Sequence, residues 1–370
     1  MTVVITNISE AIEFVLEEQR AGILHGIKAG ELACFADHDG ATGDRNPKRD
    51  DDTSLSEPQW INVMSLARAS TAFCIVTARD LSFIRDIYFK DHKRNSSRIP
   101  RSFSSAGSSG YHFSENIRNY IEDYANEITM PIFDKNGNPH KQDDVEDAII
   151  EMYYITEKLE RKFCNNVESD QRRISATALI TKGFETNEAL EEFKKEGNRL
   201  LLKAQEQLGD SISIKSKSSF NEKRTGYIDY TLEDANKNAS LSWLLQNKIN
   251  TKNTKAALSW GDTSPDEEMM KAISDRIGRK KVLCIGVGPK IEGKTLDGGL
   301  DASICAEEGS GFSHVDLMHA IMMTVHSPRK MKKLLKQNVV TKDDLYAIDN
   351  TKNVPHKGLR RHSYLLGLRR

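Results

Sequence analysis

The feature that most constrains this chain is a long amphipathic stretch near its middle, from residue 141 to residue 208. Val145, Met152 and Leu159 recur every seven residues, and charged residues flank them. An apolar seam with this spacing and charged neighbours is typical of a coiled coil. The polar segments on both sides favour an exposed helical module that associates with copies of itself, although the same stripe also fits one helix of an internal bundle. The predicted oligomer seam comprises Val145, Ala148, Met152, Ile155 and Leu159.

The remaining apolar residues also favour helices. The chain has 370 residues, of which 38% are hydrophobic, so a substantial core is possible. Apolar positions recur at helical spacing over residues 5–34 and again over much of residues 59–92. We therefore predict a mainly α protein with helical modules, a central coiled-coil-like helix, flexible linkers and a small C-terminal α(+β) domain.

Changes in composition along the chain predict the domain boundaries. Segments rich in Ser, Gly, Pro and charge bury too little apolar surface to offset the entropy of ordering, so they are interpreted as linkers. The predicted order is an N-terminal helical segment (1–35), a linker (36–58), a helical module (59–92), a Ser/Arg-rich linker (93–112), a helical oligomerisation region (113–208), a linker (209–230), a C-terminal domain (231–350) and a basic tail (351–370).

Charge, cysteine content and hydropathy exclude several classes of protein. The formal net charge is −1, which excludes a uniformly basic nucleic-acid coat. No apolar run approaches the roughly 18 residues of a membrane span, and the first residues lack the basic start of a secretory signal. The five cysteines are scattered and never form a CxxC pair, as expected of reduced thiols. We therefore expect a cytoplasmic protein with no disulfide framework and no metal site.

One motif points to chemistry. Gly288, Gly293, Lys294 and Thr295 match the phosphate-binding loop pattern, and an apolar stretch over Val282–Val287 predicts the strand that should precede it. Two glycines soon after Thr295 oppose the helix that such a loop normally opens. No aspartate is identified that would hold magnesium. The motif is therefore either a site for ATP or GTP with Mg²⁺ or a glycine-rich turn, and the turn is preferred.

Surface charge and short motifs suggest partners. A basic helix face and the basic tail favour an anionic partner such as a phosphate backbone, and the predicted contacts are Lys330, Lys332, Lys333, Lys336, Arg360 and Arg361. Ser102 and Ser175 follow arginines at the spacing that basophilic kinases read, so both are phosphorylation candidates.

The layout resembles the phosphoprotein, or polymerase cofactor, of non-segmented negative-strand RNA viruses. The correspondence is a short N-terminal helix (8–24), linkers at 36–58 and 93–112, the central helix from Val145, and a small domain after Leu232. The resemblance implies a non-enzymatic oligomeric scaffold or adaptor that binds protein partners and RNA. The alternative function is a nucleotide-binding protein that uses the 288–295 loop and, if it is an enzyme, hydrolyses a nucleotide.

Overall fold

The computed structural model describes residues 2–46, 49–90, 100, 102–107, 111–114, 127–337 and 340–347. These residues form an α/β fold around a nine-stranded mixed sheet, so the prediction of a mainly α protein is wrong. The strand order of this sheet is β1-β15-β14-β13-β2-β5-β6-β7-β8. Its strands are β1 (Val3–Ile5), β2 (Leu32–Ala36), β5 (Ala72–Val76), β6 (Phe103–Gly107), β7 (His112–Ser114), β8 (Glu127–Thr129), β13 (Ala256–Gly261), β14 (Val282–Val287) and β15 (Ala302–Ile304).

The central strands are continuous apolar runs. Strands β2, β5, β13 and β14 are buried along their whole length and pair in parallel with their neighbours. A strand covered by helices on both faces loses the alternation of apolar and polar residues that marks a half-exposed strand. This explains why residues 5–34 were predicted to be helical, whereas the helix ends at Ala21 and β2 begins at Leu32. The strand predicted at Val282–Val287 is confirmed.

Helices cover both faces of the sheet. One face carries α1, α2 and α8, and the other carries α6 and α7. The described helices are α1 (Ile8–Ala21), α2 (Glu57–Ala69), α3 (Leu81–Arg85), α4 (Gln142–Lys162), α5 (Asn187–Leu208), α6 (Lys237–Asn247), α7 (Ser264–Ile277), α8 (His314–His326), α9 (Pro328–Leu334) and α10 (Lys342–Ala347).

A second module is inserted between β8 and α6. It is a four-stranded antiparallel sheet in the order β11-β12-β10-β9, packed against α4 and α5. Its strands are β9 (Val167–Arg172), β10 (Ser175–Ile180), β11 (Ile214–Phe220) and β12 (Gly226–Leu232).

The central coiled-coil-like helix is also a wrong prediction, because α4 is a component of the inserted module. Its seam packs on β9, β10 and α5, and Val145 lies partly buried at the edge of the same cluster. The heptad stripe arose because a helix lying on a sheet also needs one narrow apolar face. Apart from Val145, the seam residues Ala148, Met152, Ile155 and Leu159 are fully buried within the chain. Self-association of the chain remains a prediction.

Several segments expected to be linkers contain strands. Residues 36–58 include the last residue of β2 and a two-stranded sheet of β3 (Asp44–Asn46) and β4 (Arg49–Ser54). Residues 209–230 include β11 and most of β12. Residues 93–112 include β6, but 93–99 lie outside the described residues, as does the tail 351–370. In the described part of the chain, no helix is both long and apolar enough to cross a membrane.

Candidate active site

The order of the strands creates a crevice between β2 and β13. After these neighbouring parallel strands the chain continues to opposite sides of the sheet. It runs from β2 through α2 to β5, and from β13 through α7 to β14. At such a switch point the two following loops separate at the carboxyl ends of the strands, which is where open α/β sheets bind ligands. The residues that directly follow β2 and β13 are therefore the first candidates for function.

Three carboxylates meet in this crevice. Asp37 follows β2, Asp262 follows β13, and Asp266 lies in the first turn of α7. One oxygen from each of the three groups lies within 4.8 Å of the others. All three residues are buried, with Asp266 fully covered.

A buried lysine lies among these carboxylates. Lys237 is the first residue of α6, and its Nζ donates to Oδ1 of Asp37 at 2.7 Å and to Oδ1 of Asp266 at 2.6 Å. The same Nζ donates to the carbonyl oxygen of Val76, the last residue of β5, at 3.2 Å. One ammonium thus ties together three separate elements at one end of the sheet.

Helix starts hold the lysine and the third aspartate in place. Oδ2 of Asp266 accepts the backbone N–H groups of Asp262 and Thr263 at 3.0 and 2.9 Å, which leaves Oδ1 for the lysine. The side chain of Asn236 caps α6 by accepting the N–H of Ala239 at 2.8 Å. These bonds satisfy free N–H groups of the first turns. Lys237 and Asp266 are thereby fixed at the start of their helices.

Asp37 is fixed by a compact turn, residues 37–43, which we call the Asp37 loop. The Thr42 hydroxyl donates to the carbonyl oxygen of Asp37 at 2.5 Å and accepts the indole N–H of Trp260 at 3.0 Å. The backbone N–H groups of Thr42 and Gly43 both donate to the carbonyl oxygen of His38. Because Trp260 belongs to β13, the loop after β2 is anchored to the neighbouring strand.

The cluster carries more negative than positive charge. Burial and repulsion from Asp266 raise the pKa of Asp37 well above its usual range, although Lys237 opposes the shift. Burial disfavours the charged ammonium, but attraction to Asp266 and Asp37 raises the pKa of Lys237 above its ordinary value. Two carboxylates, those of Asp37 and Asp266, therefore share one ammonium that stays protonated. A bound cation would reduce the excess negative charge and lower the pKa of Asp37.

Two further residues border the cluster. Thr77 follows β5 directly and is fully buried. Asp39 lies two residues after Asp37 and is one of the charges that raise its pKa, so the two carboxylates are close. Nε of Arg79 donates to Oδ2 of Asp39 at 3.2 Å, and both side chains are less than one fifth exposed. A fourth carboxylate with a guanidinium partner thus lies beside the three.

The donor set fits a hard divalent cation. Carboxylate oxygens are the ligands that Mg²⁺ prefers in proteins, whereas thiols and imidazoles suit softer metals. Asp37, Asp262 and Asp266 each supply one such oxygen, and these oxygens lie within 4.8 Å of one another. The sequence expectation that there is no metal site is therefore revised, because these three carboxylates could hold a metal ion.

The loop singled out from the sequence as a phosphate-binding motif lies elsewhere. No helix begins at Thr295, and Lys294 is 79% exposed and paired with Glu292. The Glu267 carboxylate accepts the N–H groups of Gly293 at 2.6 Å and Thr295 at 3.1 Å. Although burial opposes ionisation, these bonds hold the pKa of Glu267 below its usual value. Gly288 and Gly293 both have positive φ, as expected of a tight turn. N–H groups that a phosphate would need are thus occupied by a carboxylate of the chain itself.

The other sequence candidates are spread over the molecule. Ser175 is buried at the start of β10, and the Ser102 hydroxyl donates to the carbonyl oxygen of Ala67 at 2.5 Å. Arg360 and Arg361 lie outside the described residues. On or just after α9, the exposed residues are Lys330, Lys332, Lys333 and Lys336.

Comparison with known proteins gives structural matches only. No family model and no curated protein matches the chain. The C-terminal domain of a C. albicans trehalose-6-phosphate phosphatase has 13% identity and a TM-score of 0.49, covering 88% of this chain and 99% of that one. An Aspergillus fumigatus trehalose-6-phosphate phosphatase has 12% identity and a TM-score of 0.44, covering 88% and 100%. A Plasmodium falciparum IMP-nucleotidase has 13% identity and a TM-score of 0.40, covering 86% and 73%.

These findings correct the earlier resemblance. The likeness to a viral phosphoprotein is wrong, because the described residues form an α/β fold rather than helical modules joined by linkers. The prediction of a non-enzymatic scaffold is also wrong, because the middle helix on which it rested is not a coiled coil but packs within an inserted module. The expectations of a coiled coil, a phosphoprotein and a viral protein, which accompanied that resemblance, are wrong as well.

The residues of the crevice were missed in the sequence. Residue 37 was placed in a linker, and the strand before Asp262 was not recognised. A signal was nevertheless present, because three short apolar runs each end directly at a polar residue, namely Asp37, Thr77 and Asp262. In a parallel sheet such positions meet at one edge.

Proposed function

We propose that this chain is a Mg²⁺-dependent phosphohydrolase that cleaves a phosphate monoester. One observation carries the proposal: three buried carboxylates, Asp37, Asp262 and Asp266, meet at the switch point of a parallel sheet, and the Lys237 ammonium pairs with two of them. Phosphoryl transfer needs a positively charged group beside the negative phosphate oxygens and a positioned nucleophile. A divalent cation and Lys237 supply the first, and a carboxylate supplies the second.

Asp37 is the nucleophile of this proposal. One oxygen of Asp266 accepts backbone N–H groups and the other accepts from Lys237, so this carboxylate is suited to be a fixed support rather than the nucleophile. The bonds described for the Asp37 carboxylate involve Oδ1, and its backbone is anchored by Thr42. An Asp37 oxygen attacks phosphorus, the bond from phosphorus to the ester oxygen breaks, and an aspartyl phosphate forms.

Asp39 completes the proton balance. In its protonated form it gives its proton to the departing ester oxygen, which leaves as an alcohol. The Asp39 carboxylate then takes a proton from water as that water attacks phosphorus. The bond between phosphorus and Asp37 breaks, inorganic phosphate leaves, and both side chains return to their starting states. Arg79, bonded to Asp39, holds this carboxyl group in position.

A divalent cation would be held by the carboxylates of Asp37 and Asp262, with Asp266 fixed beside them as a support. When bound, it would neutralise charge that develops on the phosphate oxygens. Lys237 orients Asp37 and contributes a second positive charge.

The test is the effect of D37N on p-nitrophenyl phosphate hydrolysis in the presence of Mg²⁺. Without a nucleophilic carboxylate, kcat is expected to fall by at least about 10³-fold. The matched control is D275N, which makes the same change at an exposed aspartate of α7, the helix that carries Asp266. Its activity is expected to equal that of the unaltered protein.

A second measurement separates a nucleophile from a mere support. After incubation with Mg²⁺ and beryllium fluoride, which mimics an aspartyl phosphate, the unaltered chain and D275N are expected to gain thermal stability and D37N to gain none. Hydrolysis that is independent of Mg²⁺, or D37N activity within a few-fold of the unaltered protein, would overturn the proposal.

A further inference from the structure

A chain of buried hydrogen bonds connects helix α8 to the Asp37 loop. His319 lies on α8 and is fully buried. Its Nε2 lies 2.9 Å from the carbonyl oxygen of Thr42, and its Nδ1 lies 2.8 Å from Nδ2 of Asn62 on α2. Thr42 is the residue whose hydroxyl donates to the carbonyl oxygen of Asp37.

These partners fix the tautomer of His319. A carbonyl oxygen only accepts, so Nε2 of His319 must carry the hydrogen that it donates to Thr42. An amide nitrogen only donates, so Nδ1 of His319 must be the acceptor from Asn62. The ring is therefore neutral, with its hydrogen on Nε2. Burial lowers the pKa of His319, which also favours the neutral ring. A doubly protonated ring would turn an N–H toward the amide N–H₂ of Asn62.

The orientation of Asn62 is fixed in turn. Its Nδ2 also donates to the backbone carbonyl oxygen of His319 at 3.0 Å, and its Oδ1 accepts from Nε2 of His326 at 2.7 Å. Rotating the amide by 180° would place Oδ1 against that carbonyl oxygen and the N–H₂ group against an N–H. Only one arrangement satisfies every bond in the chain from His326 through Asn62 to His319.

From this geometry we infer that His319 is a positioning residue that holds Asp37 in its attacking position through Thr42. Two contacts anchor the end of the loop: His319 holds the backbone of Thr42, and the indole of Trp260 holds its hydroxyl. Loss of the first contact frees the Thr42 carbonyl and loosens the hydroxyl that anchors Asp37. Small displacements of a nucleophile are costly in rate, because the reacting atoms must approach in line. The inference rests on the proposed function and adds a residue to it.

The test compares two amides at position 319. In H319Q the amide nitrogen reaches the place of Nε2 and keeps the donor to Thr42, whereas in H319N the shorter side chain reaches only the place of Nδ1. Both replace an imidazole with a neutral amide, so a general structural cost is shared. We expect H319N to lower kcat for p-nitrophenyl phosphate about 10- to 100-fold with KM changed less than threefold, and H319Q to stay within about threefold in kcat.

Controls distinguish the possible failures. T324V alters another buried residue of α8, whose hydroxyl donates to the carbonyl oxygen of Ala320 in the same helix, and is expected to keep full kcat. Equal kcat losses in H319N and H319Q, or none in H319N while D37N is inactive, would overturn this inference alone. Activity retained in D37N would instead overturn the proposed function.

A third variant provides a route that does not depend on H319N folding. N62L removes the amide that fixes the tautomer while keeping a side chain of similar volume, and it is expected to lower kcat by about three- to tenfold. The ¹⁵N chemical shifts of the His319 ring give a readout besides activity. They are expected to show hydrogen on Nε2 in the unaltered protein and a mixture of tautomers in N62L. Ring shifts and kcat that are both unchanged in N62L would overturn the inference.

Discussion

At the scale of single residues, the crevice is stabilised by ion pairs between buried charged side chains. Lys237 is 4% exposed and has two carboxylate partners, and an oxygen of the third aspartate lies within 4.8 Å of oxygens of the other two. Buried ions are costly unless they are paired, so the removal of one member leaves the others destabilised. The same charges that suit the site for chemistry therefore contribute to the stability of the fold.

Lys237→Met is expected to lower the free energy of unfolding by about 3–5 kcal/mol in the absence of metal, because it leaves the buried carboxylates of Asp37 and Asp266 without their ammonium. Urea denaturation measures this change. Adding D37N is expected to recover part of the loss, so the double variant should be more stable than the sum of the single changes implies.

The matched control for this prediction is K271M, which changes an exposed lysine on α7, and it is expected to stay within about 0.5 kcal/mol. A strictly additive cycle between K237M and D37N would show that the two side chains are not coupled.

At the scale of elements, the site depends on how closely β13 approaches the start of α7. A Cβ added to Gly261, the last residue of β13, would lie 2.2 Å from Cβ of Asp266. Real Cβ atoms do not approach so closely, so the glycine is needed for the aspartate to reach Lys237. Strand, turn and helix are thereby packed into one rigid corner.

Gly261→Ala is expected to move Asp266 away from Lys237, to lower the affinity for Mg²⁺ about tenfold or more and to destabilise the fold by about 1–3 kcal/mol. Isothermal titration with Mg²⁺ and thermal denaturation measure the two effects. The control is S259A in the same strand, because the Ser259 hydroxyl is buried and has no hydrogen-bond partner among the described residues. Equal Mg²⁺ affinity in G261A and S259A would contradict the role given to the glycine.

Part of this architecture was predictable from the sequence. The amphipathic helices around Val145 and Leu190 and the strand Val282–Val287 follow from periodicity and apolar runs, and all are present. The fold class was not predictable in this way, because strands buried on both faces carry no alternation and resemble buried helix. The site depends on contacts between residues far apart in sequence, such as Asp37 and Lys237, which no local pattern shows. Only the polar residue after each apolar run gave a local hint.

At the scale of the whole molecule, neutral histidines with little or no exposure link stability to pH. His38 lies in the Asp37 loop, whereas His319 and His326 lie on α8. Loss of hydration lowers the pKa of each, to about 4 for His38 and His326. In the unfolded chain these histidines titrate near the ordinary pKa of 6.5. Below that pH the unfolded chain therefore binds protons that the folded chain does not bind. The stability due to these residues is complete above pH 6.5 and is lost as the pH falls toward 4.

His326→Gln tests this linkage, because glutamine keeps a donor for Asn62 but does not titrate. The unaltered protein is expected to lose about 2–4 kcal/mol more stability than H326Q between pH 7 and pH 4. Urea denaturation across this range measures the difference. Parallel pH profiles for the two proteins would show that His326 is not buried in its neutral form.

The pairing of β1 with β15 has a consequence for biosynthesis. Val3 aligns with Ala302, so the first strand of the chain has no neighbour in the sheet until some 300 residues have been translated. Contacts between such distant positions slow folding, because a large loop must close before they form. A ribosome-bound fragment that ends before β13 has Asp37 but neither Asp262 nor Asp266, so it lacks two of the three clustered carboxylates. Activity should therefore emerge only late in synthesis, and truncated products should be inert.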